Sequence, residues 1–247
     1  MTKLSVNVNK VATLRNTRPL DIPSVTHAAR LCLEAGAYGI TVHPRPDERH
    51  IRPRDVHDIA ELLKSYPHAQ YNIEGNPFYG RYMDHIREVL PTQCTLVPDT
   101  PEAPTSNHGW DLMRDRDRLV PVIEQLHDYG CRVSLFMDAR ARTMPLAAEI
   151  GADRVELYTE PYAAAFGEKR ADAADPFVAA AQSAVAAGLG VNAGHDLNLD
   201  NLPLFLTRVP NVLEVSIGHA LIADALEFGL NETVKKYLRA CAQTLAA

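Results

Sequence analysis

Ala35-Gly36-Ala37-Tyr38-Gly39-Ile40-Thr41-Val42-His43-Pro44-Arg45 is the stretch on which the fold turns. A helical pattern ends at a glycine, an apolar run of strand length follows, and a histidine and an arginine stand where the run stops. Upstream, residues 23–35 place Val25, Ala28, Ala29, Cys32 and Leu33 on one helical face. Glycine just past a helix end accepts the left-handed cap and lets the chain turn into a strand. The same join recurs at Tyr129-Gly130 before Cys131-Arg132-Val133, at Ile150-Gly151 before Arg154-Val155, and at Ala187-Gly188 before Leu189-Gly190.

Working outward from this unit, residues 4–9, 39–43, 71–74, 95–98, 132–138, 154–158, 190–193 and 213–217 read as strands. Several look like nearly continuous apolar runs, as expected of parallel strands buried on both faces. Between them lie amphipathic stretches, with Val56, Ile59, Leu62 and Leu63 on one face and Val120, Val122, Ile123 and Leu126 on another. Repeated strand–helix units of similar length predict an α/β fold, a (β/α)8 TIM barrel with a few additional helices. A doubly wound open sheet is the alternative that the pattern allows. No linker interrupts the repeat, so residues 1–247 read as a single (β/α)8-barrel catalytic domain.

Composition narrows the function. The 25 Lys and Arg against 31 Asp and Glu give a net charge of −6, which argues against non-specific binding to nucleic acid or anionic membrane. No run approaches the roughly 18–20 apolar residues of a membrane span, and the N-terminus alternates like a strand rather than a signal peptide. The expectation is a cytoplasmic protein. Cys32, Cys94, Cys131 and Cys241 are scattered among apolar neighbours and read as reduced, buried thiols. The segment 232–245, with Val234, Tyr237, Leu238 and Cys241, reads as a helix that packs on the barrel or on a neighbouring subunit.

In parallel barrels the chemistry sits at strand C-termini and in the loops beyond them. Those positions hold Asn7, Asn9 and Lys10, then His43 and Arg45, Glu74, Thr105 and Asp138. Glu156 lies within the sixth strand, Gly194 and His195 follow the seventh, and Gly218 and His219 follow the eighth. The two Gly-His turns stand where this fold binds phosphate on glycine amides and a helix N-terminus. Arg45 and His50 can grip a phosphate by charge-assisted hydrogen bonds, whereas Asp47, Glu48 and Arg49 read as a solvated charged loop. Glu74, if partly buried, suits proton abstraction near neutral pH; the competing reading pairs it with Arg15 or Arg18. Asp138 reads as a supporting residue. The polar segment 99–110, with Pro101, Pro104 and Gly109, reads as a lid.

These motifs together resemble the pyridoxine 5′-phosphate synthase family. The resemblance is carried by residues 6–18, Gly39-Ile40-Thr41-Val42-His43-Pro44-Arg45, Arg49-His50-Ile51, Val191-Asn192-Ala193-Gly194-His195 and Ile217-Gly218-His219-Ala220. It implies a homo-octameric enzyme that condenses 3-amino-2-oxopropyl phosphate with 1-deoxy-D-xylulose 5-phosphate. The products are pyridoxine 5′-phosphate, phosphate and water, and the expected partners are these small phosphorylated substrates. The resemblance also implies His43 and Glu74 as proton acceptors and His195 as proton donor. Asn7 and Arg18 then match contacts to the amino-ketone phosphate, and Arg45, His50 and Thr105 contacts to the deoxyxylulose phosphate. Gly218 and His219 match the phosphate-binding pair, and Glu156 a polar residue inside the barrel.

The chain departs from many members at Asn9-Lys10, where they carry Asp-His, and at Asp196, where they carry Gly. It reads as an Asn-Lys sub-branch, with Asp196 at a substrate-binding position and Asn9, Lys10, Glu156 and Gly194 as auxiliary residues. No cofactor and no metal are expected, since no HxH or HExxH spacing supports a metal-dependent reading. The residues also leave room for a Schiff-base aldolase acting through Lys10, and for a phosphometabolite-binding module without catalysis.

Overall fold

Along each strand stretch, polar and apolar residues alternate, and this parity decides what the barrel holds. The computed structural model describes residues 1–168, 170 and 172–242. In chain order the strands are β1 (Lys3–Asn7), β2 (Gly39–Val42), β3 (Gln70–Gly75), β4 (Gln93–Leu96), β5 (Arg132–Met137), β6 (Arg154–Leu157), β7 (Gly190–Ala193) and β8 (Val212–Ile217). All pair in parallel with their neighbours, and β1 also pairs with β8, from Lys3 against Glu214 to Val6 against Ile217. That last ladder closes the barrel and removes the open-sheet alternative.

The helices form the outer layer. After β1 come α1 (Asn9–Asn16) and α2 (Val25–Glu34); after β2, α3 (Pro53–Leu63); after β3, α4 (Tyr82–Val89); and after β4, α5 (Leu112–Asp128). Then follow α6 (Met144–Glu149), α7 (Glu160–Gly167), α8 (Asp175–Ala186), α9 (Leu202–Arg208), α10 (His219–Phe228) and α11 (Leu230–Ala242). Their starts carry local chemistry. The Ser24 side chain accepts from His27 N at the head of α2, and Asp111 accepts from Met113 N at the head of α5. At the other end, the glycines expected to stop helices take positive φ, as at Gly36 (+104°) and Gly151 (+91°).

Parity sorts the strand side chains. Tyr71 OH donates to Val56 O in α3, and Tyr82 OH in α4 donates to Ile73 O, so this face of β3 meets the helices. The opposite parity points inward and is polar. Ser5 and Thr41 hydroxyls are 2.7 Å apart, Asn72 Nδ2 donates to Thr41 Oγ1, and Thr95 Oγ1 donates to Asn72 Oδ1. Asn192 Nδ2 reaches Gln93 Oε1 from β7 to β4. Near the strand N-termini, buried Glu214 sits 3.3 Å from Arg154 Nη1 and 3.9 Å from Arg132 Nη2. Arg132 Nε also donates to Gln93 Oε1. The strands are therefore apolar mainly on the outside, where Leu4, Val6, Ile40, Val42, Ile73, Leu96, Val133, Leu135 and Val155 form the core with the helices, while Phe136 on β5 faces the cavity.

Strand ends shift from the expected ones. β1 stops at Asn7 because its side-chain Oδ1 accepts from Asn9 N, turning the chain so that Asn9 and Lys10 open α1 instead of ending a strand. β4 runs two residues earlier than expected. The predicted C-terminal helix appears as α11, and residues 243–245 of that expectation lie outside the described ones. Val234, Tyr237 and Cys241 are buried where α11 packs on α2, α9 and α10, so this helix covers its own barrel. All four cysteines are free and buried, and burial pushes the Cys32 and Cys241 thiols up to about 12, which leaves them unreactive. No helix among the described residues is long and apolar enough to cross a membrane.

Candidate active site

The C-terminal ends of the strands open into a cavity of about 500 Å³. Its wall includes Asn7, Asn9, Lys10, His43, Arg45, His50, Glu74, Thr105, Glu156, Gly194, His195, Asp196, Gly218 and His219. Arg18 is not brought to it and lies exposed past the end of α1. Asp138 lies outside the cavity wall too: its Oδ1 accepts from Gly109 N, tying β5 to the end of the 99–110 loop.

Glu74 is the centre of this arrangement. Asn7 Nδ2 donates to Oε2 at 3.4 Å, Ser216 Oγ donates to Oε1 at 3.5 Å, and His43 Nδ1 lies 3.9 Å from Oε2. Burial, with a smaller push from the Asp99 carboxylate, raises the Glu74 carboxyl to about 8. The arginine partners offered by the sequence are engaged or absent. Arg15 is buried against Asp55 (2.5 and 2.9 Å) and His50 O (3.0 Å), and Arg18 is exposed to solvent. The Arg15 contacts instead fix the backbone that carries His50.

The histidines are held neutral. Burial lowers His43 well below the usual imidazole range, with Arg45, His50 and Arg49 adding like charge. His50 is lowered to about 4, again by burial first and then by Arg45 and Lys10. Its Nδ1 accepts from Ile51 N at 2.9 Å, so the neutral ring carries its proton on Nε2. His195 is lowered by burial, partly offset by Asp196, Asp99 and Glu160. Its ring packs on Tyr158 (5.3 Å between centroids) and Phe136 (6.4 Å), and Thr159 Oγ1 donates to its carbonyl at 2.5 Å. Glu156, deeper in the barrel, is pushed well above the usual carboxyl range by burial and by the Glu74 and Glu214 charges.

A guanidinium and a helix N-terminus stand on two sides of the cavity. On one, Arg45 pairs with buried Asp99, which also accepts from Ser106 Oγ at 2.6 Å, and its Nη1 donates to Ala103 O at 2.7 Å. On the other, Gly218 caps α10, whose first amides have no partner within the helix. Gly194 lets these loops meet, since a Cβ there would fall 2.1 Å from Ser216 O. Asn9 Oδ1 accepts from His43 N at 3.0 Å and thereby joins the first loop to the second. Lys10 is exposed and adds positive charge to the wall.

Residues missed from the sequence include Ser216, Thr159, Phe136 and Ser106. Ser216 was within reach, two positions along β8 from inward-facing Glu214. Arg49 is a correction. Asp47 and Glu48 are exposed as expected, but Arg49 donates to the carbonyls of Ala103, Pro104 and Pro101 at 2.9, 3.1 and 3.0 Å. It holds the 99–110 loop over the mouth, a tertiary role that a charged run cannot announce.

The chain matches, over residues 4–243, the family model described as pyridoxal phosphate biosynthesis protein PdxJ. It belongs to that family. Among curated PdxJ relatives, the pyridoxine 5′-phosphate synthase of Albidiferax ferrireducens is 58% identical over 98% of this chain and 98% of its own length. That of Porphyromonas gingivalis is 54% identical over 96% and 98%. Among solved structures, a chain of Mycobacterium tuberculosis tryptophan synthase aligns over 97% of this PdxJ chain and 92% of its own, with TM-score 0.68 and 12% identity. The 3-keto-L-gulonate-6-phosphate decarboxylase of Vibrio cholerae aligns over 99% of both chains, with TM-score 0.66 and 8% identity. At such identities these two likenesses concern the barrel alone.

Proposed function

We infer that this PdxJ-family chain is a pyridoxine 5′-phosphate synthase of vitamin B6 biosynthesis. It joins 3-amino-2-oxopropyl phosphate to 1-deoxy-D-xylulose 5-phosphate and closes the pyridine ring with loss of phosphate and water. The observation that carries this reading is Glu74, held between His43 and Asn7 in a mouth with anion-facing groups on two sides. Two phosphate handles align the reacting carbons, and the binding energy of the handles offsets the entropy of bringing two substrates together.

The division of labour proposed here takes its roles from the family likeness, and the lining of the cavity supports it. Arg45, His50 and Thr105 face one phosphate. Gly218 amide, His219 and Asn7 face the other. Arg18 is assigned to the amino-ketone phosphate only on family likeness, since it lies outside the cavity in this structure. Asp196 and Gly194 shape the turn that carries His195, and Asn9 and Lys10 complete the wall. Glu74 and His43 take protons from the carbons and the amine during condensation, and His195 returns protons to leaving oxygens. An arriving phosphate dianion raises nearby imidazole pKa values, so His195 gains its proton as substrate binds. The loop held by Arg45 and Arg49 excludes water from the imines on the path.

The whole chain acts as one catalytic domain in the cytoplasm, as a homo-octamer. Exposed Ile22, Met113 and Leu226 supply apolar surface for such assembly. Light scattering on the purified protein reads the assembly directly. The reaction is tested by mixing the protein with both substrates and following pyridoxine 5′-phosphate by absorbance and mass. Product formation that is lost in Glu74→Gln and at least a hundredfold slower in His195→Asn supports the assignment. No product from folded protein that binds either phosphate overturns it.

A further inference from the structure

We propose that His57, His85 and Glu88 form a second site, for a divalent transition-metal ion of the zinc type, that clamps α3 to α4 on the outside of the barrel. It is separate from the mouth, whose wall contains none of the three. His85 and Glu88 are three apart on α4 and therefore share one face, and His57 comes from the neighbouring helix α3. One ligand atom from each lies within 4.8 Å of the others. His57 Nε2 is 3.1 Å from Glu88 Oε2. Two ligands on one tetrahedral zinc ion, each about 2.0–2.1 Å away, stand roughly 3.3 Å apart. That pair is thus at ligand spacing, and the partly exposed His57 and Glu88 side chains are free to adjust toward the third.

His85 supplies the independent observation. It is 3% exposed, and its Nδ1 is buried with no hydrogen-bond partner among the described residues. A buried ring nitrogen without a partner is costly, and ligation is one of the few ways to satisfy it. Its ring stands edge-on to that of His57, with centroids 6.4 Å apart and planes at 75°. Arg81 Nη2 lies 3.6 Å from Glu88 Oε1, which leaves Oε2 for the ion. Two imidazoles and one carboxylate favour zinc, cobalt or nickel over magnesium or calcium, and water completes the shell on the solvent side.

The test uses the full chain, stripped of metal by chelation, and zinc chloride alone in calorimetry. One saturable equivalent per chain is expected at micromolar zinc. His57→Gln and Glu88→Gln, both at partly exposed positions, should each weaken that equivalent at least tenfold while turnover stays at the wild-type level. Zinc should raise Tm in the wild type and not in these variants, because the ion binds only the folded helix pair. Cobalt(II) should show a tetrahedral visible spectrum that disappears in both. Zinc that binds at the mouth instead would survive in both variants. Absence of saturable binding, or a variant that binds like the wild type, overturns the proposal.

Discussion

His43 Nδ1 lies 3.9 Å from Glu74 Oε2, and the two meet as neutral partners rather than as an ion pair. Burial drives both toward their uncharged forms, holding the proton on Glu74 up to about 8 and keeping it off His43. An ion pair would be solvated poorly here, and the nearby Arg45 already repels an imidazolium. The pair is therefore poised: one proton resides on the carboxyl, which can exchange it with substrate near neutral pH beside a neutral imidazole.

If Glu74 must be ionised to take a proton, the free enzyme's kcat/KM should climb with pH along an acid limb centred near 8. The imidazoles of His43 and His195 titrate below their ordinary range and place no limb between pH 7 and 9. A pH–rate series at low substrate reads this directly. A flat profile from pH 6 to 9 would remove Glu74 from the role of base.

The same shift has a stability consequence of defined sign. Between the ordinary carboxyl pKa and about 8, the folded chain keeps a proton on Glu74 that the unfolded chain has lost. Stability therefore falls as pH rises through this window and is unaffected below it. Glu74→Gln cannot ionise and escapes the loss. It should match the wild type near pH 4.5 and exceed it by on the order of 3 kcal/mol near pH 8.5. Denaturant midpoints at the two pH values check it, and parallel curves would contradict it. A variant that is more stable and inactive is what a functional, desolvated carboxyl predicts.

Inside the barrel, Glu214 is the one carboxylate reached by both Arg154 and Arg132 among the described residues. Removing a partner from a buried ion network leaves uncompensated charge, at a cost of about 3–5 kcal/mol. Glu214→Gln should lie near the lower end, because both arginines keep neutral acceptors in Gln93 and Asn192. Urea unfolding should show a lower midpoint at unchanged slope. The double variant Glu214→Leu with Arg154→Met should recover most of the loss. If it falls further instead, the network stabilises through more than charge balance.

The barrel, its helix-ending glycines and nearly all the mouth residues were legible in the sequence because each rests on local pattern. Gly36 and Gly151 announce turns that any left-handed cap requires, and His43 and His195 stand where apolar runs stop. The polar barrel interior was legible in principle but read as continuous apolar strand. Tyr71-Asn72-Ile73-Glu74 alternates with period two, and only the outward set matches a strand buried on both faces. Arg49 and Thr159 lay out of reach. Their partners are carbonyls 52 to 55 and 36 residues away, and backbone oxygens carry no signature in sequence.

Asp196 tests whether a departure from the family pattern is structural or chemical. Its φ is +61°, in the left-handed region, where a glycine sits without strain and where Asp is among the few side chains tolerated. The backbone thus already has the shape a glycine would take, with Asn201 Nδ2 donating to Asp196 O at 3.2 Å to hold it. Asp196→Gly should stay within about 1 kcal/mol of the wild type, as relief of the strain offsets the greater freedom of the unfolded chain. Asp196→Val, β-branched at positive φ, should lose about 1–2 kcal/mol. The carboxylate has a separate electrostatic effect. Its Oδ2 is 3.8 Å from His195 Nε2, and its charge raises the pKa of that imidazole. In Asp196→Gly, His195 should therefore titrate lower, which NMR of the ring protons would follow. A Gly variant that is stable but slower, with the His195 titration moved down, assigns the aspartate to tuning the proton donor. One that is stable and unchanged in both assigns it to the turn alone.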